Sequence, residues 1–302
     1  MRFTSRQTTR TGNRSSNQDR SLILADSDGV LLAVADGMGG HARGDLAAQA
    51  FVDSLARQFR ERDPLQDPAE FLTESLAAAH RTIIAVGQAQ RPPIAPLTTG
   101  VVCLVSGETA HWAHVGDSRL YLLRKDTVAF QTRDHTPLAD MIDAGLISER
   151  QARSHRLRNQ VSRCLGDAAT APEPTLGPTA WLQPGDVLLL CSDGLWSPLE
   201  PAQLQALTAS EDLADCLETL AVTAEARSYP HSDNVTAVAL RWEGADRDSE
   251  PAPESGHQSG NGSDAGSLSS LDRAIAAIEQ AMVDYADEIP TDAPAQDRSQ
   301  SV

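Results

Sequence analysis

The spacing of apolar residues changes several times along the chain, and each change marks an element. Two short apolar runs, SLILAD and GVLLAVA, flank the turn-forming tetrad DSDG between residues 21 and 35 and predict a pair of strands. Between 43 and 60 the spacing becomes helical, with Leu46, Ala50, Leu55 and Phe59 on one face. A second helical pattern, Phe71, Leu72, Leu76, Ala79 and Ile83, runs from 68 to 90, and Asp-Pro pairs at 63–64 and 67–68 separate the two. Residues 98–132 return to short runs, TTGVVCLVS, TAHWAHVG, RLYLLR and TVAFQT, and predict a meander. Residues 137–165 are polar, arginine-rich and partly helical in pattern. An apolar strand in DVLLLCSDGLW (186–196), a helical stretch over about 201–226 and a strand DNVTAVALRW (233–242) follow. Runs of strands with paired helices predict an α+β sandwich, not an alternating parallel sheet.

Beyond residue 243 the pattern stops. From 244 to 267 the chain is Gly, Ser, Pro, Asp and Glu with almost no large apolar residue, a composition that reads as a disordered linker. After it, Leu268, Leu271, Ile275, Ile278, Met282, Tyr285 and Ile289 recur in steps of three and four, which predicts a short amphipathic helix at about 268–289. The expected division is a globular domain over 1–243 and an acidic tail over 244–302.

Charge follows the same division. The 302 residues carry a net −17. From Gly244 onward, 12 acids and 3 arginines give −9, which leaves −8 on the body. That balance argues against a nucleic-acid or anionic-membrane partner, since both attract basic surfaces. No apolar run is long enough to span a bilayer, and MRFTSRQTTRTGNRSSNQD lacks the apolar segment of a secretion signal. Cys103, Cys164, Cys191 and Cys216 form no CxxC pair, so a reducing, cytoplasmic setting is expected.

One event in the pattern recurs and carries chemistry. Asp36 ends an apolar run and precedes Gly37; Asp193 ends another and precedes Gly194. Asp233 begins the last strand, Asp117 sits between two strands, and Asp19 precedes the first apolar run. Singly, each is as readily a turn or cap residue. Together, carboxylates converging at sheet edges repel one another and are costly to desolvate, and a divalent cation removes both problems. Oxygen ligands without a His/Cys set favour Mg²⁺ or Mn²⁺ over zinc.

The segments RSSNQD (14–19), VADGMGGH (34–41), TTG (98–100), HVGDSR (114–119), RDHT (133–136), CLGD (164–167), LLLCSDGLW (188–196) and HSDNVTAV (231–238) occur in this order. The series resembles the motifs of the metal-dependent protein phosphatases, the PPM or type 2C family, in its bacterial form, over about residues 5–242. The resemblance implies an αββα sandwich, two antiparallel sheets flanked by helix pairs, with metals in a channel at one edge. It implies that Asp36 bridges two Mn²⁺ or Mg²⁺ ions, that the Gly37 carbonyl binds one, and that Asp193 and Asp233 complete the other. Asp117 would hold a third, weaker ion, Asp19 would orient a water on the metal, and Arg14 would hold the substrate phosphate. The implied activity is hydrolysis of phosphoserine and phosphothreonine on proteins by metal-activated water, opposing a bacterial Ser/Thr kinase and its substrates.

The chain departs from the better-known eukaryotic pattern. Met38 stands where that form has a histidine often assigned as general acid, and Gln18 replaces a glutamate. His41, three residues later, takes the acid role or is a hydrogen-bonded neighbour of the site. Cys191 is expected to pack rather than react. Residues 137–165 align with a flap whose Arg150, Arg153, Arg156, Arg158 and Arg163 form either a basic rim or a solvated helix surface. The tail helix is expected to dock on a partner or on the body. Two other functions compete: a catalytically silent regulatory domain, which predicts missing metal aspartates, and a metallohydrolase of small phosphoesters.

Overall fold

Two antiparallel sheets lie face to face, and helices cover the outer side of each, the αββα sandwich that the resemblance implied. The computed structural model describes residues 1–38, 43–152, 155–158, 160–170 and 173–245. Residues 246–302, with nearly all of the expected linker and the expected helix, lie outside the described residues, as do His41 and Arg153, while Gly244 ends the last strand rather than starting the linker.

In chain order the first half holds β1 (Arg2–Arg10), β2 (Arg20–Ala25), β3 (Val30–Ala35), β4 (Gly37–Met38), α1 (Gly44–Glu61) and α2 (Pro68–Ala89). Then come β5 (Leu97–Thr98), β6 (Gly100–Ser106), β7 (Thr109–Val115), β8 (Arg119–Arg124), β9 (Thr127–Gln131), α3 (Pro137–Asp143) and α4 (Glu149–Ala152). The last part holds β10 (Thr175–Leu176), β11 (Ala180–Trp181), β12 (Val187–Cys191), α5 (Asp193–Trp196), α6 (Pro201–Leu204), α7 (Ala206–Ala209), α8 (Leu213–Ser228) and β13 (Val235–Gly244). One sheet has the order β1-β13-β12-β8-β9, the other β10-β7-β6-β3-β2 with β11 also on β7, and β4 pairs β5 apart from both.

The apolar runs are continuous because both faces of the central strands are covered. In β3, Leu31, Ala33 and Ala35 pack under α1 and α2, while Val30, Leu32 and Val34 meet the other sheet. In β12, Val187, Leu189 and Cys191 pack under the α5–α8 layer, while Leu188 and Leu190 face inward. Helix starts follow local chemistry. Asp67 accepts hydrogen bonds from the Ala69 and Glu70 N–H groups, with Pro68 in the first turn of α2, and Asp212 does the same for Ala214 and Asp215 in α8.

Two expectations change, and one strand is new. The meander over 98–132 is two hairpins in different sheets, β6–β7 and β8–β9, because Gly116 (φ 105°) turns the chain out of one sheet and Asp117 and Ser118 carry it to the other. The single helix over 201–226 is three, broken where Asp212 caps α8. β1 left no apolar signal, since it is an edge strand that pairs only with β13 and exposes much of its length. Among the described residues no helix is long and apolar enough to cross a membrane.

Candidate functional site

The strand ends deliver carboxylates to one edge of the sandwich. Asp36 follows β3 and is held by its backbone: its N–H donates to Thr99 Oγ1 (3.2 Å), and its carbonyl accepts from Thr99 N–H (2.9 Å) and Thr98 Oγ1 (2.8 Å). Gly37 then passes so close to Gly44 that a Cβ on Gly37 would lie 2.3 Å from the Gly44 carbonyl oxygen. The glycine therefore brings the start of α1 against the site. Asp193 opens α5, and Gly194 lets that turn approach the Asn234 carbonyl, where a Cβ would meet oxygen at 2.0 Å. Asp233 precedes β13. Asn234 donates to the Thr11 (2.8 Å) and Ser16 (3.0 Å) carbonyls and accepts from Gln18 N–H (2.8 Å), so it fixes the loop that carries Arg14.

Asp36, Asp117, Asp193 and Asp233 line a single cavity of about 380 Å³ together with Arg14, Ser15, Ser16, Gln18, Gly37, Met38, Val161 and Asn234. Arg14 Nη2 donates to Asp233 Oδ2 at 2.6 Å and is otherwise more than half exposed. Asp19 does not reach the cavity. It lies behind it, 3 % exposed, with Oδ2 accepting from Ser192 Oγ at 2.7 Å and Oδ1 without a partner.

Burial and mutual repulsion set the electrostatics of the cavity. Burial, then the neighbouring charges of Asp19, Asp193, Asp117 and Asp233, hold the Asp36 carboxyl well above the usual carboxylate range. Asp117 is pushed up to about 7, first by burial and then by Asp193 and Asp134. Asp193 rises to about 6 by burial and the charge of Asp233. Asp19 rises to about 7 by burial, although hydrogen bonds from Ser192 and Thr236 oppose the shift. Asp193 Oδ1 is buried with no hydrogen-bond partner. Carboxylate, carbonyl and water oxygens are the donor set of hard divalent ions. Among the described residues no three acidic, histidine or cysteine side chains close on one ion position. Mg²⁺-like ions keep several waters and take one or two carboxylates each, so they do not require such a cluster.

The structure thus brings together Arg14, Asp36, Gly37, Asp117, Asp193 and Asp233 and places Asp19 one layer behind them. Met38 and Gln18, the two departures from the eukaryotic pattern, both line the cavity. Among the described residues of the flap only Val161 does so; Arg150, Arg156, Arg158 and Arg163 are exposed and stand outside it. Cys191 is fully buried, and burial pushes its thiol up, as a packing role requires. Residue patterns had not singled out Ser192, whose hydroxyl donates to Asp19 and accepts from Thr236 N–H (3.1 Å). A serine closing a fully apolar strand was the available signal. Thr99, Ser118 and Trp196 lie within the motif segments, where residue type alone assigns them no role.

A family model described as Protein phosphatase 2C matches residues 6–237. The Listeria innocua protein named Serine/threonine phosphatase stp is 29 % identical over 231 residues, 75 % of this chain and 90 % of that one. A crystal structure of the Mycobacterium tuberculosis serine/threonine phosphatase PstP/Ppp matches with a TM-score of 0.70 and 31 % identity, over 80 % of this chain and 99 % of that one. The catalytic domain of PstP in complex with two manganese ions matches with a TM-score of 0.68 and 30 % identity, over 79 % and 97 %.

Proposed function

The chain belongs to the protein phosphatase 2C family, and from that premise we propose that it is a Mn²⁺- or Mg²⁺-dependent phosphatase of phosphoserine and phosphothreonine in proteins. The observation that carries the reading is four carboxylates on one cavity, most of them held above their usual pKa by burial and by one another, with an arginine at the same wall. The relatives' names and the manganese in the PstP complex support it.

Asp36, Asp193 and Asp233, with the Gly37 backbone, would hold two ions, and Asp117 would share a third with Asp193. Bound there, such ions lower the pKa of water and neutralise charge on a phosphoryl group. Asp19, anchored by Ser192, is placed to accept a hydrogen bond from water behind the ligands. Arg14 is the phosphate-binding group. It pairs with Asp233, and its half-exposed guanidinium would reach a phosphate at the same wall by a charge-assisted contact. The opposed enzyme would be a Ser/Thr kinase of the same cell, and the exposed arginines of the flap would attract its phosphorylated products.

The test is Mn²⁺-dependent phosphate release from a phosphothreonine peptide, wild type beside Asp193→Ala. Release that needs the metal and is lost in the variant supports the reading. A folded wild type that is inactive with both ions, or that turns over nucleotides far faster than the peptide, overturns it.

A further inference from the structure

The loops that carry Asp36, Asp117 and Asp193 are joined by uncharged hydrogen bonds that are wholly or partly buried. Thr99 Oγ1, which accepts from Asp36 N–H, lies 2.7 Å from Ser118 Oγ, next to Asp117. On the other side of Asp117, Trp196 Nε1 donates to the Asp117 carbonyl at 3.0 Å. Trp196 ends the short turn of α5 that begins with Asp193. The chain of contacts therefore runs from Asp36, in one sheet's edge, through Thr99, Ser118 and Asp117 to Trp196 and Asp193 at the edge of the other.

The indole is the part of this chain with the most support. The Arg119 guanidinium carbon sits 3.4 Å from the centre of its ring. Arg119 in turn is fixed by two hydrogen bonds of 2.8 Å to the two oxygens of Asp134 and by one of 2.9 Å to Tyr121 Oη. The side chains of Arg119 and Asp134 are 17 % and 12 % exposed, so the stack is mostly desolvated and stronger for it. An indole has one donor and no acceptor, and its direction is set by the plane of the ring. A ring clamped under Arg119 therefore offers its N–H in one direction, and the Asp117 carbonyl occupies it. Gly116, at φ 105°, is fixed as well: its N–H donates to His135 Nδ1 at 3.1 Å and its carbonyl accepts from His135 N–H at 2.9 Å. Asp117 is thus held from before, by His135, and from the far sheet, by Trp196. Core packing alone asks for an aromatic ring at 196 but not for its N–H, nor for a cation above it.

We propose that Trp196 is a positioning residue: its N–H bond to the Asp117 carbonyl sets the separation of Asp117 and Asp193, and with it the affinity of the ion these two carboxylates share. The proposal rests on the reading of both as metal ligands. Trp196→Phe keeps a ring beneath Arg119, removes the donor and trims the ring's volume, and Ser118→Ala separates the two losses because it leaves the indole intact. Mn²⁺ is titrated into the metal-free protein, with free Mn²⁺ read by electron paramagnetic resonance, a measurement that needs no turnover. The expected result is that the weakest Mn²⁺ loses about tenfold in affinity while the tighter ions are unchanged. In assays, kcat falls at low Mn²⁺ and recovers at high Mn²⁺, with KM for the phosphopeptide unaltered. Ser118→Ala, which loosens Asp117 from its other side, should give the same pattern, and Trp181→Phe, at an exposed ring, should give none. A wild type that binds no Mn²⁺ removes the reading on which the proposal rests. A wild type that binds and hydrolyses beside a Trp196→Phe protein with the same Mn²⁺ affinities overturns the role of Trp196 alone. If Trp196→Phe fails to fold, Ser118→Ala decides, and unchanged Mn²⁺ binding there overturns the proposal.

Discussion

Strand β12 has an inward-lying aspartate near each end, and the fold treats the two in opposite ways. Asp186, just before the strand, is 2 % exposed and fully met: Arg124 Nε and Nη2 bond its two oxygens at 2.8 and 2.6 Å, and Gln183 N–H adds a third bond at 2.8 Å. Asp193, two residues past the strand, has a buried oxygen with no partner and other carboxylates for neighbours. In sequence the two are near mirror images, Gly-Asp before the apolar run and Asp-Gly after it. One end is closed by the chain itself. At the other, the proposed function assigns the partner to a metal ion. On that reading, a structural carboxylate and a ligand carboxylate differ in their partners rather than in their burial.

The sharpest way to break this comparison is to neutralise each in turn. Asp193→Asn should lower metal-dependent turnover about a thousandfold. The same protein in chelator should melt no lower than wild type, because a repulsive charge has gone. A clear drop in that melting temperature would mean that Asp193 has a structural partner after all. Asp186→Asn should do the reverse, costing about 3 kcal/mol by breaking a buried pair while turnover per folded molecule stays within about twofold. Denaturant unfolding and peptide assays on one preparation measure both.

A smaller effect comes from pH. With metal removed, Asp19 and Asp117 at about 7 and Asp193 at about 6 lie above the unfolded value of about 4, so the folded state binds more protons in between. Their contribution is fully present below about 4 and is lost as pH rises through about 7. The melting temperature in chelator should therefore fall from pH 5.5 to pH 8, and saturating Mn²⁺ should flatten or invert that slope. A slope that is the same with and without Mn²⁺ would detach these groups from metal binding. The smallest change belongs to Cys191, between the two aspartates. Cys191→Ala should cost about 1 kcal/mol of stability as a packing loss and leave turnover intact.

The layers of the sandwich were legible because helix and strand periods differ and because the buried strands carry uninterrupted apolar runs. Asp36, Asp117, Asp193 and Asp233 were legible as a set, each at a strand end. What sequence could not show was depth. Asp19 stands in the same motif as Arg14, yet only Arg14 reaches the cavity, because Ser192 and the loop fixed by Asn234 hold Asp19 behind it. β1 was hidden for a related reason: a polar edge strand has no apolar period, and its partner is more than two hundred residues away. The crossing at Gly116 was hidden because a short Gly-Asp-Ser link between strands looks the same whether it joins neighbours or changes sheets.

The pairing of β1 with β13, Arg2 opposite Gly244 and Arg10 opposite Val235, has a consequence for how the molecule is made. Translation is vectorial, so the arginine of the site is synthesised near the beginning and its neighbours Asp233 and Asn234 near the end of the domain. Until that last stretch leaves the ribosome, β1 has no ladder to join, the loop of Arg14 has no anchor, and one carboxylate of the cavity is missing. A chain that stops before its final strand therefore lacks both the ladder that holds β1 and one carboxylate of the cavity, and the two ends of the domain meet at the site only once the last strand has joined the first.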